Sequence, residues 1–417
     1  MDIKLTPSAL KGDVYSIASK SDVHRLMICA LLSGGAVRIN GVSRCADTDA
    51  TAACITALGA QVDFSGRVCT VTPPASVPKT AALDCGESGS TLRFLLPVAA
   101  RLCERASFTG SGRLPMRPIG ELADAMQANG TQFSNPTLPF TVSGGLRAGT
   151  YRLPCNVSSQ YVSGLLMALS ALAGESRIEL TTPLQSGSYV NMTLHTLSDF
   201  GARVQKSDNG YIIYGVGKLS SPVTVTADGD WSNAAFFLAA GALGEGVTVK
   251  GLNTESVQGD KKVLDALQKF GAAIKCEGDE ITVTRGTLHG CTVDLTDTPD
   301  LLPILAAVAA FAEGSTTFTG GARLRLKESD RLETTRAMIE ALGGKAEVLP
   351  DGIIVHGTGL QGGKVDGAND HRIVMAAAIG GCFAKGDTTI LGAQAVDKSY
   401  PDFFTDLAGL GGNSYVI

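Results

Sequence analysis

The pattern of apolar and polar positions repeats along the chain about every 70 residues. In each period an Ala/Leu-rich, helix-like run ends in a polar or Gly-containing turn and passes into a short alternating strand. The six instances are LLSGGAVRING, ARLCERASFTG, LAGESRIEL, ALGEGVTVKG, FAEGSTTFTG and FAKGDTTILG. Equivalent positions are Ala36, Ala106, Ser176, Gly246, Thr316 and Thr388, so the steps are 70, 70, 70, 70 and 72 residues. This spacing predicts six copies of one structural unit.

A second signal follows each of the first ones: a helix that ends near a glycine and continues into another strand. It occurs in TALGAQVDF, AMQANGTQF, LSDFGARVQ, LQKFGAAIK, EALGGKAEV and LAGLGGNSY. The units therefore have helix–strand–helix–strand character and predict an α/β (α+β) protein. One such unit cannot bury its sheet alone, so several must pack together. Because 417 residues exceed one ordinary core, we expect two domains of three units, with a crossing near residues 226–230.

Composition narrows the class of protein. A hydrophobic fraction of 44% and a charged fraction of 18% are typical of soluble globular proteins, and a net charge of −5 argues against non-specific nucleic-acid binding. The longest apolar runs, such as residues 304–312, are too short to span a bilayer. The start, MDIKLTPSAL, resembles neither a signal nor a transit peptide, so we expect a cytoplasmic protein.

Cysteine and histidine usage gives no indication of a metal site. The ten cysteines are scattered singly, without a C-x-x-C motif or paired spacing with the five histidines. This pattern favours reduced, mostly buried thiols over disulfides or zinc.

Basic residues recur at the starts of predicted helices. In LKESDR, Arg331 precedes an amphipathic run, residues 332–342, and Asp330 with Glu333 resembles an N-terminal cap. A cation there opposes the helix dipole by about 0.3–1 kcal/mol, unless an anionic ligand is bound. The same arrangement is predicted for Lys20 and Arg25, for Arg93 in a first turn, for Arg117 before a helix starting at Pro118, for Arg372, and for Lys398 ahead of Pro401.

Each case also has an ordinary explanation. The carboxylates of Asp22, Glu121, Asp330, Asp370 and Asp397 could form surface ion pairs with these cations, worth under about 1 kcal/mol each. Taken together, the cations favour a cleft that collects helix N-termini around a small molecule with two phosphates and a carboxylate. Arginine binds such groups bidentately, whereas lysine acts as a point charge.

In this order the motifs resemble those of the 5-enolpyruvylshikimate-3-phosphate synthase family. SKSDVHR is similar to the first substrate motif, GESGSTLR to the Gly-rich loop and MRPIGEL to the arginine segment; SSQ, TDTPDLLP, LKESDR, NDHR and DKSYPDFF follow, covering essentially the full length. The resemblance implies two domains, each of three βαβαββ units in an inside-out α/β barrel, with the active site in the cleft between them. The implied domains are residues 1–17 with 228–417, and residues 18–227.

The resemblance implies transfer of the enolpyruvyl group of phosphoenolpyruvate to the 5-hydroxyl of shikimate 3-phosphate, with release of phosphate through a tetrahedral intermediate. This is the shikimate-pathway step towards chorismate and aromatic amino acids. No metal and no cofactor are implied, glyphosate is the implied inhibitor, and we expect a monomer. By similarity Asp300 takes the hydroxyl proton, Glu328 handles the methylene proton, and Lys20 bridges the substrates.

The implied ligands carry over residue by residue. For phosphoenolpyruvate they are Lys20, Gly89, Arg117, Gln160, Arg331, Arg372 and Lys398. For shikimate 3-phosphate they are Lys20, Ser21, Arg25, Ser158, Ser159, Gln160, Ser186, Tyr189, Asp300 and Lys327. Structural alternatives stay open: Ser158 and Ser159 could cap a helix, Tyr189 could edge the core, and Asp300 could be a turn residue.

Three positions depart from the family pattern. Glu87 stands where many members have asparagine, so it must point away from an anion or pair with a cation such as Arg93. Arg323 stands where an asparagine often contacts the substrate phosphate. Phe94 replaces a proline found in some members. Gly89 lacks the extra methyl that crowds the inhibitor in this family, which favours glyphosate sensitivity.

Three other functions are alternatives. The related transferase acting on UDP-N-acetylglucosamine carries a loop cysteine in the segment matching residues 111–120, where SGRLPMRPIG has none. RNA 3′-terminal phosphate cyclases share related repeats, but they need a nucleophilic histidine, and the net charge fits RNA poorly. A non-catalytic phosphometabolite-binding protein would be favoured by loss of Lys20, Asp300 or Glu328, and all three are present.

Overall fold

The computed structural model describes every residue from Met1 to Ile417. The chain forms two compact units: a terminal unit of Met1–Ile17 with Gly229–Ile417, and a middle unit of Ala18–Asp228. The chain therefore passes between the units twice. Asp228, which the sequence-based division placed in the domain with the termini, lies in the middle unit.

The middle unit contains six helices and twelve strands. In chain order these are α1 (Lys20–Leu31), β3 (Val37–Asn40), α2 (Ala46–Ala57), β4 (Gln61–Ser65), β5 (Val68–Thr72), β6 (Thr80–Asp84), α3 (Gly89–Leu102), β7 (Arg105–Thr109), α4 (Gly120–Ala128), β8 (Gln132–Phe133), β9 (Phe140–Ser143), β10 (Thr150–Leu153), α5 (Ser159–Ser170), β11 (Gly174–Leu180), α6 (Gly187–Asp199), β12 (Arg203–Ser207), β13 (Gly210–Gly215) and β14 (Thr224–Thr226).

The terminal unit has the same number of helices and strands. They are β1 (Ile3–Thr6), β2 (Lys11–Tyr15), α7 (Trp231–Leu243), β15 (Gly246–Lys250), α8 (Val263–Phe270), β16 (Ala273–Glu277), β17 (Glu280–Thr284), β18 (Thr292–Asp294), α9 (Leu302–Ala309), β19 (Ser315–Thr319), α10 (Arg331–Ala341), β20 (Lys345–Leu349), β21 (Gly352–His356), β22 (Gly363–Asp366), α11 (His371–Cys382), β23 (Thr388–Leu391), α12 (Phe403–Gly409) and β24 (Asn413–Val416).

The strands form six four-stranded sheets, three in each unit. Their orders are β14-β3-β5-β4, β6-β7-β9-β8 and β10-β11-β13-β12 in the middle unit, and β2-β15-β17-β16, β18-β19-β21-β20 and β22-β23-β1-β24 in the terminal unit. In every sheet the first pair runs parallel and the other two pairs run antiparallel. The fold class and the six-fold repeat predicted from the sequence are confirmed.

The 70-residue period has a simple structural meaning. The six equivalent positions fall within two residues of the start of β3, β7, β11, β15, β19 and β23. Each of these strands is an inner strand that joins the parallel pair to the antiparallel part of its sheet. The period is conspicuous in the sequence because each inner strand follows one of the most buried helices.

Helices occupy the interior of each unit, and the sheets lie outside them. All residues of α9 and α11 are buried, and α7 is buried except at Ser232. Helices that are apolar on every side must be buried in this way, and these three pack against one another. In the middle unit α3 packs against both α1 and α5. None of the helices combines the length and apolar character that a bilayer-spanning helix needs.

The closest helix packing in the middle unit depends on a glycine. A Cβ on Gly164 of α5 would overlap the carbonyl oxygen of Arg93 and lie 3.2 Å from the Cα of Phe94, both on α3. Any side chain at this position would therefore push the two helix backbones apart.

We expect Gly164→Ala to lower the free energy of unfolding by about 1–3 kcal/mol, since overpacking forces backbone shifts. The matched control is Gly409→Ala in α12, where an added Cβ meets nothing within 4 Å; it should be neutral or stabilising by up to about 1 kcal/mol. Urea denaturation of both variants measures the difference, and equal midpoints would contradict the packing described here.

Candidate active site

Three helix N-termini converge in the terminal unit. Arg372, the second residue of α11, donates to the Oγ of Ser232 at 2.7 Å, near the start of α7. It also donates to the carbonyl oxygen of Asp300 at 3.3 Å, in the 3-10 helix Pro299–Leu301 that precedes α9. Helix N-termini carry partial positive charge, so an arginine placed among three of them requires negative partners.

Asp300 supplies negative charge to three cations. Its carboxylate lies 2.7 Å from Arg331, 3.2 Å from Lys327 and 3.3 Å from Arg372. Burial favours the neutral carboxyl, but the three cations, Arg372 first, outweigh it and hold the pKa of Asp300 well below its usual range. Asp300 is therefore ionised at neutral pH.

Arg331, the first residue of α10, is only 1% exposed and bonds to three carboxylates. Its Nε donates to Asp370 at 2.8 Å, Nη1 to Asp300 at 2.7 Å and Nη2 to Glu328 at 2.8 Å. Burial alone would lower the pKa of this guanidinium, and the carboxylates, Asp370 first, raise it above its ordinary value. The charge mismatch noted in the sequence is offset inside the protein. As predicted, Asp330 caps the helix by accepting the N–H of Glu333.

Asp370, which the sequence offered only as a surface ion-pair partner, is a fully buried residue of the site. It caps α11 by accepting the N–H of Arg372, and it also accepts from Arg331 and from the Oγ of Ser329 at 2.9 Å. Burial disfavours its charge, but Arg331 lowers the pKa of Asp370 below the usual value. A helix cap directly before an arginine, in NDHR, is the only signal that could have indicated it.

Asp260 is a second residue of this kind. It is 4% exposed in the 3-10 helix Gly259–Lys262. Burial, with the negative charge of Asp300 next, raises the pKa of Asp260 to about 6, and the charge of Arg372 opposes this rise. No motif around Gln258-Gly259-Asp260 indicated this position.

Lys398 reaches the same region from a different element than expected. It ends the 3-10 helix Ala393–Lys398 and does not begin α12, so the predicted helix start there is wrong. Its Nζ donates to the carbonyl oxygen of Asn369 at 2.6 Å. Ala368 and Asn369 both have φ of 51°, a left-handed conformation that is unfavourable for alanine. Lys398 thus holds the strained turn that leads into Asp370.

Serine caps mark the corresponding helix starts in the middle unit. Ser19, Ser88 and Ser158 accept N–H groups at the starts of α1, α3 and α5. The capping role considered for Ser158 is therefore real. Gln160 links two of these helix starts by donating to the Oγ of Ser90 at 2.9 Å. These caps are neutral and add no charge themselves, although Asp22 lies in the first turn of α1.

Two cations of α1 have different partners. Lys20 binds Asp47 at 2.7 Å, a carboxylate that the sequence did not single out. Arg25 is buried and donates to neutral oxygens: the hydroxyl of Thr193 and the backbone carbonyls of Ser21 and Tyr189. Burial lowers the pKa of Arg25 to about 10.

Arg93 and Arg117 flank the Gly-rich loop. Arg93 lies in the second turn of α3, one turn later than predicted, and donates to Gln160 at 2.8 Å and to the carbonyl oxygen of Pro118 at 3.0 Å. The helix predicted to start at Pro118 starts at Gly120, because the Pro118 carbonyl is used by Arg93 and Tyr161. The guanidinium of Arg117 covers Gly89 so closely that a Cβ there would lie 2.6 Å from Nη1.

The remaining positions are placed as follows. Ser186 is buried with φ of 53° directly before α6. Glu87 packs against Gly112, where a Cβ would overlap its carboxylate. Arg323 donates to the carbonyl oxygen of Thr296. The ring of Phe94 lies 4.9 Å from the Arg25 guanidinium carbon.

The predicted site residues thus form two groups, one in each unit. The middle unit contains Lys20, Ser21, Arg25, Gly89, Arg117, Ser158, Ser159, Gln160, Ser186 and Tyr189, and the terminal unit contains Asp300, Lys327, Glu328, Arg331, Arg372 and Lys398. Chemically, the first group offers cations and neutral donors for anions. The second group offers two carboxylates, Asp300 and Glu328, each held by a cation.

Comparisons with known proteins agree with this chemistry. Residues 5–407 match the family model described as EPSP synthase (3-phosphoshikimate 1-carboxyvinyltransferase). Relatives named 3-phosphoshikimate 1-carboxyvinyltransferase include one from Clostridium kluyveri, 38% identical over 98% of this chain and 97% of its own. Another, from Clostridium acetobutylicum, is 39% identical over 99% of this chain and 97% of its own.

Solved structures give the same result at lower identity. An EPSP synthase from Acinetobacter baumannii superposes with a TM-score of 0.80 at 27% identity, covering 100% of both chains. With a family model spanning nearly the whole sequence, relatives well above 30% identity and the same six-repeat fold, the chain belongs to the EPSP synthase family.

Proposed function

We propose that this protein transfers the enolpyruvyl group of phosphoenolpyruvate to the 5-hydroxyl of shikimate 3-phosphate and releases phosphate. The observation that carries the proposal is the arrangement around Arg331, which orients two ionisable carboxylates, Asp300 and Glu328, among further cations. Two carboxylates in one polar cluster suit a reaction that must move two protons between different atoms.

The proposed chemistry has two steps. In the first, the 5-hydroxyl oxygen adds to C2 of phosphoenolpyruvate, its proton passes to Asp300, and Glu328 supplies a proton to C3. This gives a tetrahedral ketal that still carries phosphate. In the second, Glu328 takes a proton back from C3, the bond from C2 to the phosphate oxygen breaks with its electron pair leaving on the phosphate, and Asp300 passes its proton to that phosphate; the enol ether and phosphate remain, and both carboxylates are restored. Lys20, Arg331 and Arg372 would stabilise the anionic groups throughout.

Binding of a substrate anion would also raise the pKa of Asp300. Three cations keep the pKa of Asp300 well below its usual range, which makes it a weak base. A substrate carboxylate or phosphate that pairs with Arg372 or Arg331 would weaken the interaction of that arginine with the Asp300 carboxylate. The pKa of Asp300 would then rise towards the range in which a general base works well.

The proposal assigns reactant ligands to both units. The ligands of shikimate 3-phosphate would be Lys20, Arg25, Gln160, Asp300 and Lys327, with the hydroxyls of Ser21, Ser158, Ser159, Ser186 and Tyr189. The ligands of phosphoenolpyruvate would be Lys20, Gly89, Arg117, Gln160, Arg331, Arg372 and Lys398. Arg25 suits an anion because its bonded partners are neutral and its charge is destabilised by burial.

Glyphosate, a small anion, would compete for the phosphoenolpyruvate ligands. We also propose a monomer that works in the cytoplasm. The ten free cysteines, eight of them buried, support this compartment because thiols persist in a reducing environment.

Glu328→Gln should lower kcat by about 10²–10⁴-fold, the usual contribution of a positioned proton-transfer group. Phosphate release from phosphoenolpyruvate with shikimate 3-phosphate measures it. Glu340→Gln is the matched control, since Glu340 also pairs with an arginine of α10 but on its exposed face; it should keep full activity. Wild-type protein that binds both compounds without releasing phosphate would refute the proposal.

Gly89→Ala should raise KM for phosphoenolpyruvate and Ki for glyphosate together, each by about tenfold or more. A methyl 2.6 Å from Nη1 must displace the Arg117 guanidinium from its place over the loop. The control is Gly120→Ala, where an added Cβ meets nothing within 4 Å. Steady-state kinetics with unchanged KM in Gly89→Ala would exclude Arg117 as a ligand.

Asp370→Asn should lower the free energy of unfolding at pH 7 by about 3–5 kcal/mol, because it removes a buried partner of Arg331. The folded-state pKa of Asp370 is depressed, so its stabilisation is present above the unfolded value of about 3.9 and is lost as pH falls through the lower folded value. The difference from wild type should therefore shrink below about pH 4. Denaturant titrations at both pH values measure it, with exposed Asp208→Asn as the control.

A further inference from the structure

His24 is a buried histidine that the proposed reaction does not use. It lies on α1, one turn after Lys20, and it is 0% exposed. Its Nδ1 is 2.7 Å from the Oγ1 of Thr51 on α2, while Nε2 has no hydrogen-bond partner. Burial, with the charges of Lys20 and Arg25 nearby, holds the pKa of His24 well below its usual value, so the ring is neutral.

Two side-chain pairs, four residues apart on each helix, join α1 to α2. Lys20 binds Asp47, and one turn further along both helices His24 binds Thr51. The first pair is partly open to solvent, with side chains 15% and 13% exposed, and the second is closed. The histidine therefore fixes the alignment that places Lys20 against Asp47.

The hydrogen bonding continues from α2 to α3. Thr51 Oγ1 is 2.7 Å from Thr91 Oγ1, and Thr91 Oγ1 donates to Ser88 Oγ at 2.8 Å. Ser88 is the residue that caps α3, directly before Gly89. His24, Thr51, Thr91 and Ser88, which we call the hydroxyl chain, are each 0–1% exposed.

Each hydroxyl has one hydrogen to donate, and this determines which group is the donor in every hydrogen bond of the hydroxyl chain. Because Thr91 donates to Ser88, the hydroxyl hydrogen of Thr51 serves Thr91, and the ring must supply the hydrogen to Thr51. His24 then carries its proton on Nδ1, and the unpartnered Nε2 is an acceptor. The opposite direction would leave a buried N–H unpaired, which is the costlier arrangement.

We propose that His24 is a positioning residue, which acts through Thr51, Thr91 and Ser88 to hold the Gly89 loop in register with Lys20. Its role in catalysis rests on the proposed function, in which Gly89 and Lys20 contact phosphoenolpyruvate. A second contact supports the same alignment, because the rings of His24 and Phe94 of α3 meet edge to face at 6.4 Å.

Loss of the hydroxyl chain should affect the binding of phosphoenolpyruvate more than the binding of shikimate 3-phosphate. The hydroxyl chain ends at Ser88, directly before Gly89, which is assigned to phosphoenolpyruvate alone, whereas the hydrogen bonds of Arg25 go to Thr193 and backbone carbonyls outside the chain. Loss of the chain should therefore loosen the loop that binds phosphoenolpyruvate while shikimate 3-phosphate binding is kept. A purely structural role would not separate the two substrates.

The test uses three variants of near-equal size. Thr51→Val removes the central hydroxyl, Thr51→Ser keeps it, and Thr196→Val removes a buried hydroxyl of α6 that bonds only within its own helix. Thr51→Val should raise KM for phosphoenolpyruvate about tenfold, with Kd for shikimate 3-phosphate within about twofold of wild type. Thr51→Ser and Thr196→Val should keep both constants.

Amide hydrogen exchange supplies a readout that does not depend on the reaction. Thr51→Val should speed exchange at residues 88–92 about tenfold, and Thr196→Val should not. Inactive wild-type protein would refute the proposed function while exchange still reports on the chain. Unchanged KM and unchanged exchange in Thr51→Val, or equal damage in Thr51→Ser, would overturn the role of His24.

Discussion

Burial of helices that are apolar on every side is the constraint on which the structure depends. Such a helix can satisfy its first N–H groups only at its end, through a cap or a ligand. In the terminal unit the starts of α7, α9 and α11 meet where Arg372 bonds to Ser232 and Asp300. The helices that form the core therefore also bring their positively charged N-termini close together. The polar side chains of Arg372, Ser232 and Asp300 lie at this point.

The two units differ in the side chains that cap these helix N-termini. In the middle unit the caps of α1, α3 and α5 are serines, which accept N–H groups without adding charge. In the terminal unit the caps of α7, α10 and α11 are aspartates, and further carboxylates bind the nearby cations. The helix starts of the middle unit are therefore capped by neutral groups, whereas those of the terminal unit are capped by carboxylates that also balance nearby cations.

The sequence predicted what depends on local pattern and missed what depends on tertiary pairing. The six repeats and the cap at Asp330 follow from spacing within one segment, and the structure confirms both. The pairings of Asp47 with Lys20 and of Asp370 with Arg331 could not be found that way, because the partners lie 27 and 39 residues distant and only the packing of helices brings them together. The helix expected at Pro118 begins two residues later, at Gly120, and the Pro118 carbonyl accepts instead from Arg93 of another helix.

Arg331 places a positive charge at a helix N-terminus. The sequence correctly predicted that an anion must offset this charge, but it did not show that the anion could come from the protein itself. The cation at the helix start predicts an anion, and the protein itself supplies three. A substrate anion would have to exchange with one of these charge-assisted bonds, each worth about 1.5–3 kcal/mol. Exchange at Nη1 or Nη2 would release Asp300 or Glu328 for proton transfer, while the buried bond from Nε to Asp370 would keep the guanidinium oriented. Under the proposed function, the internal ion pairs would hold Asp300 and Glu328 until a substrate anion displaces them, and the bond to Asp370 would preserve the orientation of Arg331.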